Sequence, residues 1–317
     1  MKLRVIIPTH GRPDLLGRTL TSLAECELPD SYVETIVVEN GGHWGADELV
    51  AAAPESLHAR YVHFPVGNKS AALNHVLESL DAGDFVFFTD DDVRFAPRLL
   101  QEYAIVASRH GAGHFFGGPT QVDYEQPPEP HLIRYLPSSA KGWSFRGTGV
   151  EVTAAEFLGF NWAAFVGDLK AAGGFDPDRG PGSPTGSTGQ ESEMQQRLLG
   201  RGNRGIYVAA ATVWHYVPCR RCSAQWILDR AERTGTEAGI ERADAERPRY
   251  LYFGGMPGHH AKFALYSLLA HTHPDRRKRF RARHWLRYER GIDHGYRLRR
   301  PAQGVEAWQP AGSPSTA

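Results

Sequence analysis

Three consecutive carboxylates, Asp90, Asp91 and Asp92, follow an apolar run that ends at Phe88. Crowding like charges costs free energy unless a cation neutralises them, and carboxylate oxygens are the ligands that Mg²⁺ and Mn²⁺ prefer. Alternate side chains of an extended segment point the same way, so Asp90 and Asp92 can share one side. The cluster therefore predicts a divalent cation site. The alternative is a solvated turn, or the cap of a helix that begins near Pro97.

Polar side chains also follow three earlier apolar runs in the first half of the chain. They are Thr9, His10 and Arg12 after the first run, Glu39 and Asn40 after the second, and Asn68 and Lys69 after the third. If the runs are neighbouring parallel strands, their carboxyl ends meet at the edge of the sheet where ligands of such folds bind. Four polar strand ends in succession predict a binding site for a large polar ligand.

The elements that must position these residues alternate between strands and helices. Short β-branched runs and amphipathic stretches follow one another, which is typical of a mostly parallel sheet with crossover helices. We expect strands at residues 3–8, 33–38, 59–64 and 84–89, and helices at 13–25, 46–53 and 69–79. Right-handed crossovers place the four strands side by side. The expected fold class is α/β, with a Rossmann-like central sheet flanked by helices.

The second half of the chain is richer in Gly, Pro and Trp and less regular. Residues 174–189 form a breaker-rich loop, for which an active-site lid and a plain flexible linker both remain open. We expect a helix at 190–200, a strand at 206–213, and helices at 224–239 and 250–270.

Composition limits the class of protein without identifying its chemistry. Of 317 residues, 41% are hydrophobic and 23% are charged, which excludes a disordered or fibrous chain. The N-terminus lacks the features of a signal peptide, and no apolar stretch approaches the roughly 20 residues that cross a bilayer. Cys26, Cys219 and Cys222 are too few for a disulfide framework. We therefore expect a cytoplasmic protein with reduced cysteines.

The acidic cluster resembles the Asp-X-Asp motif of nucleotide-sugar transferases with the GT-A fold. Over about residues 3–240 the chain resembles the family-two inverting glycosyltransferases. Six segments in the family's order carry the resemblance. Ile6 to Arg12 is similar to its Pro-Thr-Tyr-Asn opening, Val37 to Asn40 to its Val-Asp-Asp turn, Asn68 to Asn74 to Gly-Lys-X-X-Ala-Leu-Asn, Gly173 to Asp176 to Gly-Gly-Phe-Asp, Gly189 to Met194 to the Glu-Asp-X-Glu-Leu helix start, and Trp214 to Tyr216 to a late histidine motif.

The resemblance implies a fold, a donor and a cofactor. It implies a GT-A domain that uses a nucleotide-diphosphate sugar, UDP-sugar first, with Mn²⁺ or Mg²⁺, and a hydroxyl-bearing acceptor such as a saccharide, lipid or natural product. The residues implied to bind the donor are Pro8, Thr9, Arg12, Glu39, Asn68, Lys69, Asp90 and Asp91. Within this set the resemblance implies that Thr9, Arg12 and Glu39 line the uridine pocket. Glu39, which replaces the usual aspartate, is implied to accept a hydrogen bond from the nucleobase. Asp92 is expected to ligate the metal, with Asp90 facing the ribose or a bridging water.

The same reasoning divides the chain into regions. We expect a GT-A catalytic domain over residues 1–220, with a nucleotide-binding half at 1–95 and an acceptor-side half at 96–220. A C-terminal helical extension at 221–300 and a flexible tail at 301–317 follow.

An inverting transfer needs a base that takes the proton of the acceptor hydroxyl. Glu191 falls where the family's catalytic aspartate falls, at a helix start. Glu193 is the rival, but two residues along a helix turn its side chain about 200° away. Arg197, four residues further on, is a ready ion-pair partner for Glu193. We therefore expect Glu191 to be the base.

Three further features invite a functional interpretation. His215 is either a third ligand for the metal or diphosphate, or a satisfied core histidine. Asn161 and Trp162 resemble the acceptor-side segment, where aromatic faces stack on sugars, but core packing explains them equally well. Cys219 and Cys222 form one Cys-X-X-Cys pair, and a structural zinc site would need a second pair that the chain lacks.

The C-terminal region carries eight cationic side chains between residues 276 and 290, interleaved with aromatic and apolar residues. A solvated basic helix is the default interpretation, and peripheral contact with anionic lipid is the second. Nucleic-acid binding has no other support in the chain, and we expect none.

Other functions compete with sugar transfer. A sugar nucleotidyltransferase would need a Gly-rich basic loop after the first strand, and a dinucleotide oxidoreductase would need Gly-X-Gly-X-X-Gly there; residues 9–13 contain neither. A retaining transferase of the same fold, or a degenerate nucleotide-sugar binding protein or scaffold, remains as the alternative.

Overall fold

The computed structural model describes residues 1–145, 151–155, 157–184, 189–245, 252–253 and 256–299. The chain divides into two compact units. The first unit comprises Met1–Pro128 and Ile133–Cys219, and the second comprises Glu129–Leu132 and Arg220–Ala317.

The first unit begins with four strands and three helices in alternation, as expected from the sequence. In chain order they are β1 (Leu3–Thr9), α1 (Pro13–Ala24), β2 (Tyr32–Asn40), α2 (Ala46–Ala51), β3 (Arg60–Phe64), α3 (Lys69–Glu78) and β4 (Phe85–Phe88). Pro13 occupies the first turn of α1, where its missing amide hydrogen is not needed. The predicted bounds differ from these by a few residues at most.

The rest of the first unit is less regular. It contains β5 (Val93–Phe95), α4 (Leu99–His110), β6 (His114–Gly117), β7 (Thr120–Tyr124), α5 (Ser138–Lys141), β8 (Glu151–Val152), β9 (Trp162–Phe165), α6 (Val166–Ala171), α7 (Gln190–Gly200), β10 (Arg204–Tyr207) and β11 (Val213–Val217).

Eight strands form the central sheet, in the order β3-β2-β1-β4-β9-β6-β10-β8. β3, β2, β1 and β4 are parallel neighbours, while β9 runs antiparallel to both β4 and β6. Buried apolar side chains pack on both faces of this sheet, which explains the continuous apolar run of β4. The expected α/β class with helices flanking a mostly parallel sheet is confirmed.

A second sheet of three strands has the order β5-β11-β7. The single strand expected at residues 206–213 is wrong, because β10 pairs with β6 in the central sheet while β11 pairs with β5 and β7 in the small one. The apolar residues between them join two sheets, and a local pattern does not reveal that change of partner. The change sends β11 to the strand that follows the acidic cluster.

The beginning of the Gly-rich loop is fastened to α3. The Asn74 side chain donates to the carbonyl of Phe175 at 2.7 Å and accepts from the amide of Phe175 at 2.7 Å. Ser70 Oγ donates to the carbonyl of Arg179 at 2.7 Å. Residues 185–188 lie outside the described part of the chain. The described part of this loop is therefore held in place by side chains of α3.

The second unit contains α8 (Ala224–Asp244), β12 (Tyr252–Phe253), β13 (Met256–Pro257), α9 (Gly258–Thr272) and α10 (Arg276–Arg299). The helix expected at 224–239 continues to Asp244. The helix expected at 250–270 is wrong in its first part, since Tyr252–Phe253 pairs with Met256–Pro257 as a short hairpin and α9 starts only at Gly258. The predicted tail at 301–317 lies outside the described residues.

The helices α8 and α10 pack backbone against backbone. A Cβ added at Gly235 of α8 would overlap the carbonyl oxygen of Tyr288, and one added at Gly291 of α10 would overlap that of Glu232. The same holds at Gly239 and Gly295, four residues further along each helix. We call these four glycines the glycine seam. Small residues spaced by four let two helices approach until their main chains touch.

Candidate active site

The acidic cluster after β4 is anchored to the segment after β1. Asp91 is fully buried, accepts a 2.6 Å hydrogen bond from Thr9 Oγ1, and forms an ion pair with Arg12. Burial raises the pKa of Asp91 to about 6, although the Arg12 charge opposes that shift. Arg12 also donates to Asp92 Oδ2 at 2.7 Å. Asp91 thus ties Thr9 and Arg12 to the end of β4, a role that the sequence did not suggest.

Lys69, the first residue of α3, connects the cluster to the predicted base. Its Nζ lies 2.7 Å from Asp90 Oδ1 and 2.9 Å from Glu191 Oε1. Burial alone would lower the pKa of Lys69, but the two carboxylates outweigh burial and raise that pKa above its usual range. Lys69 is therefore a permanent cation between two carboxylates that are far apart in sequence.

Glu191 and Glu193 lie on different sides of α7, as expected. Glu193 forms two hydrogen bonds with Arg197, at 2.6 and 2.7 Å. Glu191 faces Lys69, and its Oε1 also accepts from the Gln190 side chain at 3.1 Å. Among the described residues, none donates a hydrogen bond to the second carboxylate oxygen of Glu191. That oxygen can accept a proton.

Gly159 makes room for the Glu191 side chain. A Cβ at position 159 would overlap the carboxyl group of Glu191. Pro8 of β1 lines the same narrow crevice as Gly159, Lys69 and Glu191. A side chain at position 159 would therefore displace the Glu191 carboxyl group from its place beside Lys69.

His215 of β11 faces Asp92 of the acidic cluster. Its Nδ1 donates to the carbonyl of Ser139 at 2.6 Å, which leaves Nε2, 3.4 Å from Asp92 Oδ1, to face the carboxylate. The Phe160 ring stacks on the imidazole with centroids 4.8 Å apart. Burial would lower the pKa of His215, but the hydrogen bond and charge of Asp92 raise it. Nε2 therefore carries either a proton shared with Asp92 or a lone pair available to a cation.

Asp92 and His215 suit a divalent cation as a pair of ligands. Two ligand bonds of about 2.1 Å each can span their 3.4 Å separation. Within the described part of the chain, no group of three or more His, Cys, Asp or Glu side chains is arranged to hold a metal. A cation bound here would take its remaining ligands from the substrate or from water. The donor set thus fits a hard cation that binds together with an anionic ligand.

Glu39 lies in a second cluster, at the ends of β2 and β3. It is almost fully buried, and its two oxygens accept from the backbone amide of Trp44 at 3.1 Å and from Tyr61 Oη at 2.8 Å. The His10 ring meets Trp44 edge to face at 4.4 Å. Thr9 and Arg12, which were expected beside Glu39, turn towards the acidic cluster instead. The strand ends therefore form two adjoining clusters, one aromatic and one ionic.

Other predicted site residues have structural roles in the fold. Asn68 caps α3 by accepting from the amide of Ala71 at 2.9 Å. Asn161 is fully buried, and its amide bonds to Tyr103 and to the carbonyls of Pro119 and Ala211. Trp162, also fully buried, stacks on Phe88 with centroids 4.9 Å apart. Asn161 and Trp162 present no surface to an acceptor here, and the core-packing interpretation describes them.

A groove of about 540 Å³ opens beside Asp92, between α1 and the small sheet. Trp214 and Tyr216, alternate residues of β11, line it together with Arg94 and Asp123, which are paired at 2.5 and 3.0 Å. This volume falls in the range of small-molecule binding sites, about 300 to 1,000 Å³. The groove thus has room for a ligand of that size beside Asp92.

Sequence reasoning missed Trp44, Tyr61 and Gly159. Glycines on both sides of Trp44 are visible in the sequence, and an aromatic residue on a glycine loop at a strand end is the signal that could have pointed to it. Tyr61 and Gly159 act through contacts with residues far away in the chain, which leave no local signal.

Comparison with known proteins places this geometry in context. Residues 4–165 match the model of glycosyl transferase family 2, which is half of the chain. The succinoglycan biosynthesis protein ExoM of Rhizobium meliloti (strain 1021) is 29% identical over 244 residues, which cover 73% of this chain and 72% of that protein.

Solved structures agree on the fold. The mannosyltransferase PcManGT of Pyrobaculum calidifontis, in complex with GDP-Man and Mn²⁺, superposes with a TM-score of 0.57 at 18% identity, over 96% of this chain and 88% of that one. S. aureus TarS 1-349, in complex with UDP-GlcNAc, gives a TM-score of 0.53 at 14% identity, over 95% and 91% of the two chains. At such identities the likeness shows the fold, which is the GT-A fold expected from the acidic motif. Because the family model matches half of the chain, this protein belongs to glycosyl transferase family 2.

Proposed function

We propose that this family-2 glycosyltransferase is an inverting enzyme. It moves a sugar from a UDP-sugar, or another nucleotide-diphosphate sugar, to a hydroxyl acceptor, with Glu191 as the base. One observation carries the proposal: Lys69 binds Asp90 and Glu191 at once, at 2.7 and 2.9 Å. This bridge sets the predicted base next to the cluster that resembles the family's donor-binding motif.

In the proposed reaction, an acceptor hydroxyl attacks the anomeric carbon as the bond from that carbon to the diphosphate oxygen breaks. The hydroxyl proton passes to the carboxylate oxygen of Glu191 that is not held by Lys69. Lys69 and Gln190 fix the other oxygen, so the base is oriented before the acceptor arrives. The diphosphate leaves on the side of Asp92 and Arg12.

Asp92 and His215 would hold Mn²⁺ or Mg²⁺ together with the donor. A bound cation would supply positive charge to the departing diphosphate. Arg12 contributes a second positive charge at the same place, since it already pairs with Asp91 and Asp92. The solved complexes of PcManGT with GDP-Man and Mn²⁺ and of TarS with UDP-GlcNAc support a nucleotide-sugar donor of this kind.

The nucleobase of the donor is assigned to the cluster around Glu39. Its carboxylate can accept from a base N–H beside Trp44 and Tyr61.

A cytoplasmic location is part of the proposal, supported by three cysteines that form no disulfide.

Two variants test the role of Glu191. Glu191→Gln keeps the size of the side chain but removes the base, so kcat should fall about 10²- to 10⁴-fold. Donor binding, measured by calorimetry with Mn²⁺, should stay within a few fold of wild type. Glu193→Gln is the matched control on the same helix, and it should retain transfer because Glu193 is engaged with Arg197.

The donor is found first by screening nucleotide sugars for thermal stabilisation with and without Mn²⁺, because a ligand of the native state raises its stability. The anomeric configuration of the first product, read by NMR, separates inversion from retention. Normal transfer by Glu191→Gln would overturn the assigned base, and donor binding without transfer to any acceptor would favour a binding protein.

A further inference from the structure

The helix α9 has an apolar face that the described part of the protein leaves exposed. Leu265 and Leu268 are 52% and 59% exposed, and as residues three apart they lie on one side of the helix. The other side packs on α10, where the Tyr266 and Trp285 rings meet at 4.5 Å. Exposed Ala264 extends the apolar face. The helix is therefore apolar on both sides.

A cluster of exposed cations follows α9 directly. Arg276, Arg277 and Lys278 form the first turn of α10, and all three are exposed. Arg281 and Arg283 extend the exposed cations along the helix. The acidic side chains of Asp275, at the helix start, and Glu129, which lies 3.4 Å from Arg276, contact this cluster. The positive charges outnumber the negative ones, so the surface has a net positive charge.

The exposed leucines and the exposed cations belong to two helices that pack on each other. Arg283 Nε donates to the carbonyl of Ala270 at 3.3 Å, and Lys262 Nζ lies 4.8 Å from the centre of the Trp285 ring. These contacts make α9 and α10 an antiparallel pair joined by a short turn. We call it the α9–α10 hairpin. Its exposed side chains include the two leucines of α9 and the arginines and lysine of α10.

We propose that the α9–α10 hairpin docks on an anionic lipid surface. Leu265 and Leu268 enter the boundary between headgroups and acyl chains, and the cations of α10 contact the headgroups. Exposed apolar side chains together with clustered Lys and Arg suit this interface. A nucleic acid would contact the cations, but it would not give the leucines an apolar environment in which to be buried. No helix in the described ranges has both the length and the apolar content to cross a membrane.

The test uses the full chain and co-sedimentation with vesicles. One set is pure phosphatidylcholine and the other contains equal parts phosphatidylcholine and phosphatidylserine. Binding should be at least about tenfold tighter to the anionic vesicles and should weaken with salt. Each cation near such a surface contributes about 1 kcal/mol, or roughly fivefold in affinity. The triple variant Arg276→Gln, Arg277→Gln, Lys278→Gln should therefore bind about 100-fold more weakly.

Two further variants decide between occupants. Leu265→Ser with Leu268→Ser should weaken vesicle binding about tenfold or more while leaving the cations intact. The control Lys2→Gln, Arg109→Gln, Arg201→Gln removes the same charge from exposed positions of the first unit and should bind as wild type. Equal affinity for the two vesicle sets, or an equal loss in the control, would overturn the proposal. So would binding to duplex DNA that depends on the cations and not on the leucines.

Discussion

The two units of this protein hold their central contacts together in opposite ways. In the first unit, charged side chains from distant segments meet at the carboxyl ends of strands, as in the Lys69 bridge between Asp90 and Glu191. In the second, the glycine seam removes side chains so that the main chains of α8 and α10 touch. The first arrangement fails when a group is removed, and the second fails when a group is added.

That difference also separates function from architecture. A partly buried cation between two carboxylates costs desolvation, and such groups cluster where chemistry needs them. A glycine seam costs helix propensity at each of four positions, and close packing returns that free energy. In the first unit the loss of stability serves the site, while in the second it allows two helices to come together.

The largest effect should follow from removing the charge of Lys69. Lys69→Met leaves Asp90 and Glu191 facing each other without a cation, and breaking a buried ion pair in this way costs about 3 to 5 kcal/mol. Because the three side chains are 14% to 23% exposed, we expect the lower end, about 3 kcal/mol. Urea unfolding measures the change in the free energy of unfolding, and hydrogen exchange shows whether α3 and β4 lose protection. Transfer should become undetectable.

The matched control for that change is Lys2→Met. Lys2 lies 3.8 Å from Asp81 with both side chains exposed, so its pair should contribute less than about 0.5 kcal/mol. If Lys69→Met were as stable as this control, the bridge would not be a structural unit of the site.

An intermediate effect should follow from adding one methyl group to the seam. Gly291→Ala places a Cβ against the carbonyl of Glu232, so α8 and α10 must separate, at a cost of about 1 to 3 kcal/mol. Amide exchange measured by mass spectrometry should speed up about 10-fold or more in α8 and α10, and stay unchanged in β1 and β4.

Gly200→Ala is the control for that variant. Gly200 ends α7, and an added Cβ there would meet nothing within 4 Å. The same substitution should stabilise that helix by up to about 1 kcal/mol. Stability changes of opposite sign at the two glycines would sharpen the contrast between packed and open positions. A stabilising Gly291→Ala would refute the seam.

Much of the first unit could be predicted because local patterns and chain order determine it. The strands β1 to β4 are apolar runs that end in polar residues, and parallel pairing brings those ends to one edge whatever the loops do. Glu193 could be separated from Glu191 by helix geometry alone, and its bonds with Arg197 confirm that separation. Asp92 and His215 could be named as residues, but not their 3.4 Å approach.

The rest depends on tertiary partners that no local pattern contains. Residues 206–213 resemble one strand because both halves are apolar, yet they belong to two sheets. Trp162 resembles a sugar platform until β4 and β9 pair and bury it against Phe88. The glycine spacing in α8 and α10 is visible in the sequence, but its meaning needs the other helix.

The smallest stability change should come with a clear loss of activity, at Gly159. A Cβ there overlaps the Glu191 carboxyl, which is the mobile end of a side chain and can move aside for about 1 kcal/mol or less. Displacing a catalytic group by about 1 Å can lower the rate about 100-fold, so Gly159→Ala should reduce kcat by about 10- to 100-fold. Gly83→Ala, where an added Cβ meets nothing within 4 Å, is the control and should be neutral.

A double variant decides whether the loss at Gly159 acts through Glu191. Glu191→Asp shortens the base and frees the space that the new methyl group needs. It should therefore cost less in the Gly159→Ala background than in the wild type, and this coupling is measured by kcat in the four proteins of the cycle. Additive losses would mean that the methyl group acts elsewhere in the crevice. Coupled losses would show that a glycine from one segment positions a carboxylate from another, as the ionic contacts of the first unit do and the seam of the second does not.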